Sequence, residues 1–575
     1  QQQRCADNQI LLEQYLYPLS SNPALLSDEG YDLLLSFCRD FYYSNYTEPA
    51  LLIRIIDILL PHYEDRSDTE SLLFLYICAG FSYMELSRTG EPTSRDKTIY
   101  FYTKVLSYRD QIEFFESAAS RDYIFIAYYN LIRVAPGLGI LDIETAYRLW
   151  EELCQIRTMP KFCQYDTTNP RIPQLCDRAI NDFRAYGAVL NVERVIAPSA
   201  ILSSLENMTQ IYYSEILHEH GSIYECPVFT VFNYHYVQAR NGTITWEAAW
   251  QILDDYYAHK MQTIGQVSSP DLLAFYTNLP LNLIDVLGHT HFKEEFKQAT
   301  YRRYRNLITS YLMNQPASLN SYTLNNGVQL VAFHPLILGT FQNRMEKMNF
   351  IVDLVVTRHL TTFTHSVMVS YLAEAIGKHI LAARPELLRI PSSYLAGNAY
   401  ASPAEVLDYI VPAALFHDIG KNGMIPIINT QHRKLNDYEF NIIQTHPQKG
   451  SDYLSSDPDF LIYQPVALGH HRSYDGTRGY PLSFDNTASP YRDAIDLIHI
   501  CDCLDAATDY LSRNYHRAKP FDVVLNELKA GRGTEYNPDM VDVILSDREL
   551  YNDLKMLTEQ NRENIYYDIY LTFVN

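Results

Sequence analysis

An all-α protein is expected from this chain. Apolar and aromatic residues recur at three- and four-residue intervals over most of its length, and helix-opening residues stand just ahead of several of those runs. With 575 residues, 47% of them hydrophobic, the chain has core enough for about two to four domains and little room for extended disorder.

In the N-terminal part, residues 51–60, 72–86, 99–108, 123–134 and 143–154 carry the helical spacing, separated by short polar, Gly or Pro breaks, so paired helices are expected. Ala79-Gly80-x-x-Tyr83 and Ala146-x-x-x-Trp150 resemble pieces of tetratricopeptide repeats, although no steady period of about 34 residues is visible. A helical, TPR-like region over 1–195 is the expectation. The most apolar stretch, 72–84, is too short to span a bilayer and contains Tyr76, Gly80 and Ser82, so it predicts a buried helix and no membrane segment. Ala197-Pro198-Ser199 breaks the pattern ahead of a second helical block, 196–342, in which 229–237 reads alternatively as a short strand. The 47 tyrosines, often adjacent as in Tyr42-Tyr43 and Tyr212-Tyr213, are expected to serve packing.

The third region, 343–575, holds the chemistry. His365, Val369, Leu372 and Ile376 follow 4, 3, 4 spacing, which puts an imidazole on the buried stripe of one helix. Ser402-Pro403-Ala404-Glu405 predicts a capped helix running to His417, which Gly420 then stops. Asn436 with Glu439 predicts the opening of the helix that carries His446, and Gly450 permits close approach of another backbone. Asp502, Asp505 and Asp509 share a face of a further helix, a costly arrangement in a core without a cation, although a solvated stripe accounts for Asp509 equally well.

Ten of the 18 histidines fall between His359 and His516, which weighs against isolated core residues. His365, His417, Asp418, His446, His470, His471 and Asp502 together offer imidazole and carboxylate without thiolate. Such donors suit iron, manganese, zinc or magnesium; seven are too many for one tetrahedral ion but suit two ions sharing a carboxylate. A metal pair implies hydrolytic chemistry.

Composition narrows the substrate. A net charge of -22 disfavours broad binding to DNA or anionic membranes, so an anionic substrate must be drawn by local cations. Nine scattered cysteines without Cys-x-x-Cys spacing point to a reducing compartment. Gln1-Gln2-Gln3-Arg4 leads into no apolar run, so no secretory leader is expected.

His417-Asp418 with Lys421, His446-x-x-x-Gly450, His470-His471, Asp475-Gly476, Gly479-Tyr480-Pro481 and Asp502-x-x-Asp505-Ala506 resemble, in order and approximate spacing, the HD-GYP phosphodiesterases that linearise cyclic di-GMP. Tyr536-Asn537-Pro538 is similar to that family's closing Phe-Asp-Pro. The resemblance covers 343–575 and none of the first 340 residues, and it implies an HD-type α-helical bundle in a bacterial, cytoplasmic protein. His-Asp alone would also admit nucleotidases, dNTP hydrolases and alarmone hydrolases.

By position, the resemblance implies that His365, His417, Asp418 and Asp502 hold one divalent ion while Asp418 bridges to a second held by His446, His470 and His471, with iron or manganese favoured. It implies Asp418, Lys421 and Asp505 as catalytic residues and Lys421, Arg513, Arg517 and Tyr480 as substrate-binding residues. Thr361 stands where some members have a glutamate that recruits a third ion, so two are expected. The loop 475–481 is one residue longer than the commonest form. The expected function is metal-dependent hydrolysis of a cyclic dinucleotide, cyclic di-GMP first, with the helical half receiving a small-molecule signal or protein partner, or mediating homodimerisation. The alternatives are a signalling module that keeps the pocket with weak turnover, and a phosphohydrolase on another nucleotide such as cyclic GMP-AMP.

Overall fold

A computed structural model describes residues 10–16, 26–43, 48–88, 93–114, 117–168, 170–189, 199–263, 272–315, 322–356, 358–392, 400–424, 435–511 and 518–574. Among these residues every regular element is helical, and β-type pairing is limited to isolated bridges such as Arg472 with Gly479. The chain forms two compact units, Gln14–Ile308 and Thr309–Asn575 with Gln1–Glu13.

The first unit is a succession of helices: α1 (Asp28–Tyr43), α2 (Pro49–Asp65), α3 (Thr69–Ser87), α4 (Ser94–Leu106), α5 (Ala118–Tyr129), α6 (Ile143–Thr158), α7 (Arg171–Tyr186), α8 (Ser199–His220), α9 (Val228–Arg240), α10 (Trp246–Gln262) and α11 (Leu279–Gly288). Each packs on the next. Side-chain caps start several of them: Asp68 accepts from Ser71 N, Asp142 from Thr145 N, and Thr245 from Ala248 N. Helix α3 is apolar on all sides and correspondingly buried, as expected of 72–84. A Cβ at Gly80 would come within 2.7 Å of the Tyr102 ring, so this glycine lets α4 lay an aromatic flat on α3. No helix among the described residues is long and apolar enough to cross a membrane.

The strand alternative for 229–237 is corrected by α9. Its β-branched and aromatic residues favour strands only weakly when packing decides otherwise. Here Thr230, Val231, Phe232, His235 and Val237 are buried from a helix that starts directly after Pro227. Residues 190–198, including Ala197 and Pro198 of the expected boundary, lie outside the described residues.

The second unit follows α12 (Glu294–Met313), within which the division falls. It contains α13 (Tyr322–Ala332), α14 (Arg344–Val356), α15 (Leu360–Ala383), α16 (Pro403–Phe416), α17 (Asp437–Ile443), α18 (His446–Leu454), α19 (Gln464–Gly469), α20 (Arg492–Thr508), α21 (Phe521–Ala530), α22 (Pro538–Ser546), α23 (Arg548–Lys555) and α24 (Arg562–Val574). The long α15 is central, packing on both α16 and α20. At its start Phe363 and Met368 form an apolar cluster with Ile565 and Ile569 of α24. Helix α16 opens on a complete capping box: Glu405 N donates to Ser402 Oγ, and Ser402 N donates to the Glu405 carboxylate at 2.7 Å. Ser402→Ala is therefore expected to destabilise this unit by about 1 kcal/mol in chemical denaturation.

Candidate metal centre

Five helices, α15, α16, α18, α19 and α20, and the 3₁₀ turn after α16 bring the donors together. His365 projects from the buried face of α15, with Val369, Leu372 and Ile376 fully buried behind it. His417 caps the C-terminus of α16, and Asp418 follows at the head of a 3₁₀ turn, Ile419–Gly423. The α-helix thus ends before Gly420, whose role is corrected from stop signal to contact point. A Cβ there would overlap the His446 carbonyl, which is how the turn lies directly on α18.

His446 is the first residue of α18. Asn436 and Glu439 form a capping box as expected, but on the separate short helix α17. The break traces to Pro447, which has no N–H to give the Ile443 carbonyl. That carbonyl instead accepts from His446 Nδ1–H at 2.6 Å. The same device recurs: His417 Nδ1 bonds the Ala414 carbonyl at 2.6 Å and His470 Nδ1 the Ala467 carbonyl at 3.0 Å, while His365 Nδ1 bonds Asp505 Oδ2 at 2.6 Å. Each bond fixes a tautomer and turns Nε2 towards the centre.

The Nε2 atoms of His446 and His470 approach to 3.1 Å, and Asp418 Oδ1 lies 3.1 Å from the first and 3.6 Å from the second. With both Nδ1 atoms donating to carbonyls, these are lone pairs facing one another. On the other side, Asp418 Oδ2 lies 3.6 Å from His365 Nε2 and 3.5 Å from His417 Nε2, and His365 Nε2 is 3.0 Å from Asp502 Oδ1. Adjacent ligands around a divalent ion with bonds of about 2.0–2.1 Å stand about 3.0–3.4 Å apart, so the spacing suits coordination. Buried His417 Nε2, Asp418 Oδ1 and His471 Nε2 have no hydrogen-bond partner, as expected of atoms that serve a cation. The donors form two sets, Asp418 with His446, His470 and His471, and His365 with His417 and Asp502. They fit divalent metal.

The electrostatics favour the ligating protonation states. Burial pushes His417 down to about 3 and His446 down to about 4, so both are neutral. Burial alone would raise Asp418, but the Lys421 ammonium, at 2.5 Å from Oδ2, holds the carboxyl well below its ordinary range. For Asp502 burial is likewise outweighed, first by His365 beside it, and its carboxyl too is held well below the ordinary range. These histidines would take up protons near pH 6.5 in the unfolded chain but resist them when folded, so acid draws the equilibrium towards unfolding. Metal-free protein is expected to lose thermal stability from about pH 6.5 downwards, read by calorimetry; a profile flat to about pH 4 contradicts neutral imidazoles.

Lys421 thus sits on the 3₁₀ turn against Asp418. Tyr480 places its ring 4.6 Å from that of His471, and a Cβ on the preceding Gly479, at φ +86°, would overlap the His471 carbonyl. Asp505 is fully buried behind His365. Asp509 is corrected from solvated stripe to fully buried: it leaves the helix as the C-cap of α20 and accepts from Tyr566. Thr361 presents no carboxylate one turn before His365. Arg513 and Arg517 lie outside the described residues.

Three contributors escaped the sequence reading. Arg472 donates to the carbonyls of Gly476 and Gly479, closing the loop around Tyr480. His499 donates through Nδ1 to the His470 carbonyl at 2.6 Å. Arg562, from the last helix, reaches Asp505 at 2.8 Å. Of these only Arg472, next to the histidine pair, carried a local signal.

Residues 362–513 match the HD domain family model. The chain contains an HD domain. The chain is similar to a cyclic di-GMP phosphodiesterase of Vibrio cholerae, 26% identical over 303 residues, covering 48% of this chain and 60% of the relative. It is similar also to the cyclic di-GMP phosphodiesterase response regulator RpfG of Xanthomonas campestris, 33% identical over 146 residues, 25% of this chain and 37% of that one. A 3'3'-cGAMP-specific phosphodiesterase 2 of Vibrio cholerae is 26% identical over 203 residues, 35% of this chain and 37% of its own length. The alignments thus span less than two thirds of each relative. His365, His417, Asp418, His446, His470, His471 and Asp502 all lie within the matched residues 362–513.

Proposed function

We propose that this chain hydrolyses a cyclic dinucleotide, cyclic di-GMP before others, to the linear dinucleotide or GMP, using two divalent ions bridged by Asp418. The observation that carries the reading is the division of the Asp418 carboxylate, with Oδ1 towards His446 and His470 and Oδ2 towards His365 and His417. Similarity to relatives described as cyclic di-GMP and cGAMP phosphodiesterases supports the substrate class. A pair of divalent ions held there, iron or manganese by preference, would supply a water-derived nucleophile near neutral pH and would neutralise charge building on the phosphodiester.

The chain's own groups do the rest. His365, His417 and Asp502 would hold one ion, and His446, His470 and His471 the other. Lys421, one turn beyond His417, would reach a non-bridging phosphate oxygen and stabilise the transition state. Asp505 orients His365 through Nδ1. Tyr480, whose ring lies tilted beside that of His471, offers a wall for a base, and Arg513 and Arg517 remain candidates for phosphate or guanine. The helical unit 14–308 acts as a sensing or docking region.

Protein loaded anaerobically with iron or manganese should linearise cyclic di-GMP faster than 3'3'-cGAMP, with products resolved by chromatography. Equal or reversed preference overturns the substrate assignment, and failure on both overturns the activity. Lys421→Met is expected to lower turnover by about 10²-fold while the bound metal is retained, the scale of losing one transition-state donor. Unchanged turnover removes Lys421 from the reaction.

A further inference from the structure

The side chain of Arg562 is fully buried, and the charged and polar groups named around it come from α20, α24 and the turn of helix before α24. One guanidinium nitrogen lies 2.8 Å from Asp505 Oδ1 and 3.6 Å from Asp509 Oδ1. A second donates to Thr508 Oγ1 at 2.9 Å, and Nε–H donates to the Thr558 carbonyl at 3.0 Å. Asp509 is itself held by the Tyr566 hydroxyl at 3.0 Å. Burying an arginine this completely is costly, and it persists only where good geometry and partners offset the desolvation.

The consequence lies one residue further in. Asp505 Oδ2 accepts from His365 Nδ1–H at 2.6 Å while Oδ1 faces the guanidinium. A carboxylate hydrogen-bonded at one oxygen and ion-paired at the other cannot turn about its Cβ–Cγ bond without lengthening one contact. Its plane therefore dictates the plane of the imidazole, and with it the direction of Nε2 towards Asp418 and Asp502. Helix α24 is tied to the same place a second time, since Ile565 and Ile569 pack on Phe363 and Met368, flanking His365 on α15. Charge and apolar packing thus converge on one ligand.

We propose that Arg562 is a positioning residue for the metal ligand His365, acting through Asp505, so that the C-terminal helix is an integral part of the metal centre. The inference rests on the metal reading of the site, and it does not depend on which substrate is cleaved. An ion pair with a purely structural role would stabilise the fold and leave metal affinity alone. A positioning role must appear in the affinity of the His365 set and leave the His446 and His470 set intact.

The test is a manganese titration of the full chain by calorimetry, with electron paramagnetic resonance distinguishing one bound ion from two. Arg562→Met is expected to weaken the ion held by His365 by about 10–100-fold, with the other changed by less than about twofold. Arg562→Lys should recover part of the loss, because it restores charge without the planar fork. In the Asp505→Asn background, Arg562→Met should add nothing further, since the two act in series. If Arg562→Met does not fold, isosteric Asp505→Asn carries the test: selective loss of the His365-held ion is expected, and Arg562→Lys in that background should add no loss. Lower melting temperature with both affinities unchanged overturns the proposal, as do additive losses in the double variant. Wild-type protein that binds two manganese ions but opens no cyclic dinucleotide sinks the phosphodiesterase reading and leaves this inference standing.

Discussion

Asp418→Ala is expected to abolish cyclic dinucleotide hydrolysis, lowering turnover by at least about 10³-fold, the scale on which removing one member of a concerted catalytic set acts. The carboxylate stands between both donor sets, so its loss removes a ligand from each position at once. It also leaves Lys421, mostly buried, without the carboxylate it pairs with. Metal content, read by mass spectrometry of the purified protein, should fall together with activity. Asp418→Asn keeps the volume and loses the charge, and is expected to behave like the alanine variant because the centre needs an anion. Full turnover in either variant would falsify the assigned mechanism.

Gly420→Ala should be among the most damaging small substitutions in the unit. The added Cβ would overlap the His446 carbonyl and approach Gly450 N, and neither is a flexible side-chain end that can swing away. The 3₁₀ turn and α18 must separate, which moves Asp418 from His446. We expect a destabilisation of about 3 kcal/mol or more in chemical denaturation, the upper range for overpacking a close contact. Gly450→Ala is the internal control. Its Cβ would meet Gly420 N at 3.3 Å, Ile419 Cγ2 at 3.4 Å and Ala467 Cβ at 3.5 Å, a tight fit that small shifts relieve. About 1 kcal/mol is expected there. Equal effects from the two substitutions would contradict the contact described.

Local pattern carried much of this site. The 4, 3, 4 spacing behind His365 and the Ser402-Pro403-Ala404-Glu405 cap were readable because both depend on residues within one or two turns. The cap at Asn436 was also readable, but Pro447 divides what looked like one helix, and a proline's effect depends on whether the carbonyl it leaves open finds another donor. The run 229–237 shows the converse: its residue types favour a strand, and burial against other helices overrules them. A solvated position stayed open for Asp509 because nothing near it in sequence announces the arginine and tyrosine that enclose it.

The kinds of donor present, their grouping in the last third of the chain and the helix face bearing His365 followed from residue type and spacing. Those are properties of short segments, set by side-chain chemistry and a 3.6-residue period. Which ring nitrogen faces the centre, how Asp418 divides its oxygens and that a helix beginning at Arg562 steadies His365 were decided by packing. Each depends on carbonyls, carboxylates or a guanidinium arriving from other elements, and only folding brings these within hydrogen-bond distance.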